Sequence, residues 1–141
     1  MNAERQRLLR LRRLEKIRAI ARQNAALEAA QAESTLTQLR GLCERTRRLA
    51  EDYGQRREMA DGAALHQVGR FASGLAAISR STQGDAQRAQ SIADAKQLQL
   101  AEAERRRAAI EERAALQERM IAKAGQVPSL AARRPSGTGL E

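Results

Sequence analysis

The chain has 141 residues, of which 42% are apolar, 1% are aromatic and 30% are charged. Alanine is the most frequent residue and buries little area, so the composition excludes a globular core of ordinary thickness and is typical of a long helix or coiled coil. The net charge of +9, nearly all from arginine, predicts an acidic partner: an acidic protein surface, nucleic acid or anionic lipid.

A first helix is predicted over about residues 3–53, because no proline precedes Pro128 and Asn2 is a suitable N-cap. Apolar residues recur there three and four apart, which is coiled-coil spacing. The alanine-rich stretch from Ala25 to Ala32 does not keep this phase, which predicts a stutter in the supercoil. The predicted helix–helix seam consists of Leu14, Ile17, Ala21 and Asn24, followed by Leu36, Leu39, Cys43, Thr46, Ala50 and Tyr53.

A connection is predicted at about residues 54–64, where Gly54 and Asp61-Gly62 are breaker signals. A second helix follows over about residues 65–124. Because the connection is short, the two helices must be antiparallel neighbours. The second apolar stripe, interrupted by Thr82 and Asp85, comprises Val68, Phe71, Leu75 and Ile78, then Ala89, Ile92, Ala103, Ile110 and Met120.

The predicted fold is therefore all-α, an antiparallel two-helix coiled-coil hairpin over residues 1–124. Gly125 and Pro128 predict the end of the second helix. Residues 125–141 are rich in proline, serine, glycine and arginine and are predicted to form a disordered tail.

No catalytic or metal-binding pattern is recognised. Cys43 and His66 are the single cysteine and the single histidine, and they fall on different predicted helices. We therefore expect a non-enzymatic protein with no metal, no cofactor and no small-molecule ligand. Arginines occupy the place of a signal peptide's apolar region, and no apolar stretch is long enough to span a bilayer, so we expect a cytoplasmic protein.

The basic N-terminal segment, residues 5–22, is one candidate binding site. Eight of its residues are basic and only Glu15 is acidic. The simplest interpretation is a solvated helix face. Eight like charges in 18 residues repel one another, however, and this repulsion weakens a helix unless an acidic partner relieves it. The candidate contact residues are Arg5, Arg7, Arg10, Arg13 and Arg18.

Tyr53 and Phe71 flank the connection and are the only tyrosine and phenylalanine. They are either packing residues that hold the turn or exposed anchors for a partner, since aromatic residues are favoured at binding hot spots. A third cluster, residues 105–107, is a run of three arginines that an antiparallel hairpin places near the basic N-terminal segment.

The pattern resembles the FliJ/YscO-type stalk proteins of flagellar and other type III protein export machines. The resemblance covers about residues 1–124 and lies in the chain length, in the opening RQRLLRLRRLEKIRAIA, in the break, and in LHQVGRFASGLAAIS at the start of a longer helix. It implies an antiparallel coiled coil whose termini insert into the ring of the export ATPase. It also implies contact with the export gate, a membrane protein with a large cytoplasmic domain, and with export chaperones.

The resemblance assigns the gate contact to an aromatic residue late in the first helix and to a Phe-x-x-x-Leu pattern in the second. The matching residues are Tyr53, Phe71 and Leu75. Two other positions depart from the family pattern, because Leu49 stands in place of an aromatic residue and Thr82 in place of a histidine. The expected location is cytoplasmic and peripheral, at the inner membrane face of the export apparatus.

Two alternatives stay open. A nucleic-acid-binding coiled coil would use the arginines on phosphates, although stacking aromatics are nearly missing and acids interrupt the basic residues of the second helix. A peripheral membrane protein would use the amphipathic N-terminal helix, although that helix lacks tryptophan and its apolar face is needed for the hairpin.

Overall fold

The computed structural model describes residues 2–55 and 62–131, with side chains described as far as residue 126. It contains two long helices, α1 (Asn2–Gln55) and α2 (Gly62–Ala131), packed against each other. This confirms the predicted all-α hairpin. The chain divides into two compact units: unit 1 includes residues 2–24 and 101–131, and unit 2 is residues 25–100.

In unit 2 the helices run antiparallel. Glu28 of α1 pairs with Lys96 of α2 at 3.1 Å, whereas Tyr53 of α1 contacts Phe71 of α2, so residue numbers rise on one helix as they fall on the other. The core centres on Leu36, which is 2% exposed and packs with Ala89 and Ala93. Alanines opposite a leucine allow the two helix axes to approach closely.

Two threonines occupy buried seam positions of unit 2. The Thr46 hydroxyl donates to the Leu42 carbonyl at 2.7 Å, and the Thr82 hydroxyl donates to the Ile78 carbonyl at 3.0 Å. Because each hydroxyl donates to a carbonyl of its own helix, both threonines can be buried without an unsatisfied hydrogen-bond donor. Thr82 was predicted as a polar interruption of the apolar stripe of α2, and it is a buried polar residue within the seam.

In unit 1 the helices are also antiparallel, since Arg12 pairs with Glu118 and Arg22 pairs with Glu104. The buried side chains of this unit come from α2 and are those of Ile110, Ala114 and Gln117. None of the described α1 residues of unit 1 is buried.

Along α1 the residues that face the partner helix keep one heptad phase without a break. The predicted stutter at Ala25–Ala32 was therefore wrong: Ala25, Ala29 and Ala32 stay in register and lie in the seam. Ile17, predicted as a seam residue, is 60% exposed, and Ala21 and Asn24 are exposed as well. The buried or half-buried seam residues of α1 are Glu4, Leu8, Leu11, Glu15, Arg18, Arg22, Ala25, Ala29, Ala32, Leu36, Leu39, Cys43, Thr46, Ala50 and Tyr53.

The seam of α2 has an equally regular phase from Val68 to Ala124. Four predicted seam residues, Phe71, Ile78, Ile92 and Met120, are exposed, each lying one position before a seam residue. The buried or half-buried seam residues of α2 are Val68, Ala72, Leu75, Ser79, Thr82, Ala86, Ala89, Ala93, Lys96, Leu100, Ala103, Arg107, Ile110, Ala114, Gln117, Ile121 and Ala124.

The element ends differ from the predicted ones by several residues. α2 continues through Gly125 and Pro128 to Ala131, beyond the predicted end near residue 124. Gly125 does not have the positive φ of a glycine that ends a helix, so it is not a stop signal here. Most of the predicted connection and the predicted tail from residue 132 onward lie outside the described residues.

Candidate partner-binding surfaces

The basic N-terminal segment divides between solvent and seam. Arg5, Arg7, Arg10 and Arg13 are exposed. Arg18 is different, because it is a half-buried seam residue. An acidic partner docking on unit 1 would therefore meet four of the five proposed arginines.

Part of the positive charge in this segment is already neutralised by acids of α2. The Arg12 guanidinium donates to Glu118 and also pairs with Glu15 at 2.8 Å, and these two carboxylates raise the pKa of Arg12. Arg22 lies 3.8 Å from Glu104. The sequence showed both acids on α2, but only the antiparallel register brings them beside these arginines.

Two arginines in the seam of unit 1 carry an unsatisfied donor. The Nε atoms of Arg18 and Arg107 are buried and have no hydrogen-bond partner. Arg107 also lines a groove of about 290 Å³ together with Arg12, Glu15 and Lys16. The arginine run at residues 105–107 therefore lies near the basic N-terminal segment, as predicted. Within the run, it is Arg107 that lines the shared groove.

Tyr53 and Phe71 meet edge to face in unit 2, with ring centroids 4.8 Å apart and ring planes at 77°. Tyr53 is half-buried in the seam, whereas Phe71 is 53% exposed. Leu75, the third predicted gate contact, is half-buried in the seam. Tyr53 and Leu75 therefore pack between the helices, and Phe71 remains accessible.

Phe71 belongs to a row of exposed apolar residues that we call the apolar flank, composed of Leu42, Leu49, Phe71 and Ile78. Each of the four precedes a seam residue: Cys43, Ala50, Ala72 and Ser79 respectively. In two antiparallel helices, residues that directly precede a seam residue lie on the same side of the helix pair. The four side chains therefore share one side.

The opposite side of unit 2 is polar. Arg40 and Gln90, which each follow a seam residue, are hydrogen-bonded across the helices. They line a groove of about 450 Å³ with Glu44, Arg47 and Gln83. The Arg47 guanidinium lowers the pKa of the Glu44 carboxyl, and Arg48 adds to the effect. Unit 2 therefore carries four exposed apolar side chains on one side of the pair and a polar groove on the other.

The remaining chemistry-bearing residues form no cluster within the described part of the chain. Cys43 is a free, half-buried seam residue, and His66 is exposed on the first turns of α2. Among residues 2–55 and 62–131 no three His, Cys, Asp or Glu side chains converge as metal ligands would. Neither helix, over those residues, is long and apolar enough to cross a bilayer.

Comparisons with protein-family models, with curated proteins and with solved structures find no match to the chain. Function is therefore inferred from the surfaces of the two units themselves.

Proposed function

We propose that the chain is a non-enzymatic stalk component of a flagellar or type III protein export apparatus, which binds the export ATPase and the export gate. The observation that carries the proposal is Phe71, which has an aromatic partner at its edge and keeps 53% of its surface exposed on the apolar flank. In this role the protein works by joining partners, with export chaperones as further candidates, at the cytoplasmic face of the inner membrane.

The apolar flank is the surface we assign to the export gate. Leu42 and Leu49 from α1 and Phe71 and Ile78 from α2 are each between 41% and 53% exposed. Large apolar side chains from both helices on one side of a hairpin offer a ridge against which a partner helix or loop can pack. An aromatic residue held by a neighbouring ring loses little conformational freedom on binding, which favours it as an anchor.

The exposed arginines of unit 1 are the surface we assign to the ATPase ring. Arg5, Arg7, Arg10 and Arg13 are free to meet carboxylates, which arginine binds in a bidentate manner. Arg18 is removed from this assignment because its guanidinium lies in the seam. The contact should weaken with added salt, since exposed charge pairs are screened.

The test uses two variants that each remove one surface. Arg5→Glu with Arg10→Glu and Arg13→Glu should abolish binding to the purified export ATPase and leave binding to the gate's cytoplasmic domain unchanged. Phe71→Ala with Ile78→Ala should abolish binding to the gate's cytoplasmic domain and leave binding to the export ATPase unchanged. Exposed substitutions of this kind typically change stability by no more than about 0.5–1 kcal/mol each, so both variants should remain helical.

The same proteins also test the nucleic-acid alternative. If the wild-type chain binds neither export protein but binds duplex DNA tightly at physiological salt, the stalk proposal is wrong and the phosphate-binding alternative replaces it. If both variants lose both partners in parallel, the two surfaces are not separate sites, which also contradicts the assignment.

A further inference from the structure

The outer face of α1 in unit 1 carries an unusual set of residues. Its seam residues Leu8, Leu11, Glu15 and Arg18 point toward α2, so heptad geometry places six side chains between residues 9 and 20 on the opposite side. We call these six the outer face. All are exposed, three are aliphatic and three are cationic: Leu9, Arg10, Arg13, Lys16, Ile17 and Ile20.

The aliphatic residues of the outer face lie outside the seam. Leu9, Ile17 and Ile20 are 58%, 60% and 59% exposed. The sequence suggested that this apolar surface was needed against the second helix, which counted against a membrane-binding function. That objection no longer holds, because Leu8 and Leu11 supply the apolar contacts in the seam and leave these three residues outside.

The cationic residues of the outer face are also unengaged. Neither Arg10 nor Arg13 nor Lys16 forms an ion pair with a carboxylate in the described part of the chain, whereas Arg12 and Arg22 both do. No acidic residue occupies the outer face. The outer face of α2 in the same unit differs, because its exposed Arg105 and Arg119 alternate with the acids Glu102 and Glu112.

We propose that the outer face docks this protein directly onto an anionic lipid bilayer. A face opposite the seam is convex, and a fluid bilayer can deform around a convex helix that bears aliphatic groups between cations. The three aliphatic side chains would enter the acyl boundary, while the arginine and lysine stems would carry their charges up to the lipid phosphates. Each lysine or arginine near an anionic surface strengthens binding about fivefold.

This proposal goes beyond the stalk function and does not depend on it, because the purified chain and lipid vesicles suffice to test it. Arg10 and Arg13 also belong to the surface assigned to the ATPase ring, so the ring and a bilayer would compete for them. The full chain is sedimented with vesicles of phosphatidylglycerol and phosphatidylcholine in equal amounts, and separately with pure phosphatidylcholine. We expect binding to the anionic vesicles and none to the zwitterionic ones.

Two variants of the outer face separate its charges from its aliphatic groups. Arg10→Glu, Arg13→Glu and Lys16→Glu together should weaken partitioning by about 100-fold or more. Leu9→Gln, Ile17→Gln and Ile20→Gln together should weaken it at least about tenfold, because buried aliphatic area is lost. Far-UV circular dichroism should show unchanged helix content in both.

Matched controls lie among the exposed residues of α2 in the same unit. Arg105→Glu, Arg119→Glu and Lys123→Glu remove two charges per residue, six in all, so the net charge falls from +9 to +3 as in the α1 variant. Leu116→Gln with Met120→Gln is the aliphatic control, since both residues are more than half exposed. Both controls should bind anionic vesicles within about threefold of wild type.

Three results would overturn the proposal. The first is absence of wild-type binding to phosphatidylglycerol vesicles. The second is equal weakening by the α1 and α2 charge variants, which would mean nonspecific attraction by net charge. The third is full binding by the variant lacking Leu9, Ile17 and Ile20, which would mean that no part of the face enters the bilayer.

Discussion

Phe71 is the residue on which the stalk proposal most depends, and its position predicts a small effect on stability. It is 53% exposed and packs edge to face with Tyr53. An aromatic pair of this kind contributes about 0.5–1.5 kcal/mol. We therefore expect Phe71→Ala to lower the free energy of unfolding by about 1 kcal/mol, measured by urea denaturation followed by circular dichroism.

Leu36 provides the comparison, because it is 2% exposed and fills the core of unit 2. Leu36→Ala should lower the free energy of unfolding by about 2–5 kcal/mol, the usual cost of a cavity in a packed core. A loss for Phe71→Ala as large as that for Leu36→Ala would show that Phe71 is a packing residue, and its role as a partner anchor would have to be abandoned.

Glu44 makes the stability of α1 depend on acid pH. Its carboxyl accepts hydrogen bonds from Arg47 at 2.8 Å and from Arg48 at 3.1 Å, and these guanidinium groups hold its pKa below the ordinary value of 4.5. A carboxyl with a lowered pKa stabilises the folded state above its unfolded pKa, and this contribution is lost as the pH falls through its folded pKa.

The measurement is an NMR titration of the Glu44 side-chain carboxyl in the full chain. Its midpoint should lie below 4.5 in the wild type and rise toward that value in the variant Arg47→Gln. Arg45→Gln is the control, because Arg45 forms no ion pair with Glu44. An unchanged midpoint in Arg47→Gln would contradict the assigned cause.

At the scale of the elements, the sequence was sufficient for the two helices but not for the phase of their seam. The late seam of α1, from Leu36 to Tyr53, was predicted correctly because its apolar spacing is unambiguous. Earlier in α1, two sets of aliphatic residues compete, and the heptad spacing of Leu14, Ile17 and Ala21 favoured the wrong one.

In the observed heptad phase, Ala29 and Ala32 lie in the seam. The same phase places Glu15, Arg18 and Arg22 between the helices. Sequence reasoning treats a charged residue as an outer one, so it could not find this arrangement. In α2 the predicted seam was shifted by one residue at Phe71 and Ile78. Both were therefore predicted as seam residues, and the apolar flank was not recognised. The signal that would have found both is the requirement for a single unbroken heptad along each helix.

The charged seam of unit 1 leads to a prediction about Arg18 and Arg107. Each buries an Nε atom with no partner, and a buried unsatisfied donor costs about 1–3 kcal/mol. Arg107 lines the same groove as Ala19, the residue next to Arg18 in the chain, so the two like charges occupy neighbouring seam positions. Arg18→Leu with Arg107→Leu should therefore raise the free energy of unfolding by about 2 kcal/mol or more.

Thermal and urea denaturation check this, with Arg10→Leu and Arg13→Leu as the matched control. Those two arginines are exposed, so their replacement should change the free energy of unfolding by no more than about 0.5 kcal/mol each. If the seam variant is less stable than the wild type, then the two arginines stabilise the hairpin and the polar seam is not a weakness.

At the scale of the whole molecule, the two units should differ in local stability. Unit 2 buries side chains from both helices, among them Leu36, Thr46, Ala89 and Ala93, whereas the described α1 residues of unit 1 include no buried side chain. The unit 1 seam also contains five charged residues of α1 and α2 whose removal from water is costly. Segments with fewer buried apolar contacts open more often.

Amide hydrogen exchange measured by mass spectrometry should therefore show faster exchange for residues 8–22 and 103–117 than for residues 32–46 and 79–93. The seam variant Arg18→Leu with Arg107→Leu should slow exchange in the first pair of segments and leave the second pair unchanged, because the substitution lies wholly in unit 1. Equal protection across all four segments would mean that the hairpin opens as one cooperative whole. Local opening in unit 1 would free Arg18 and Arg22 from the seam, and the basic surface available to an acidic partner would then be larger than the closed hairpin offers.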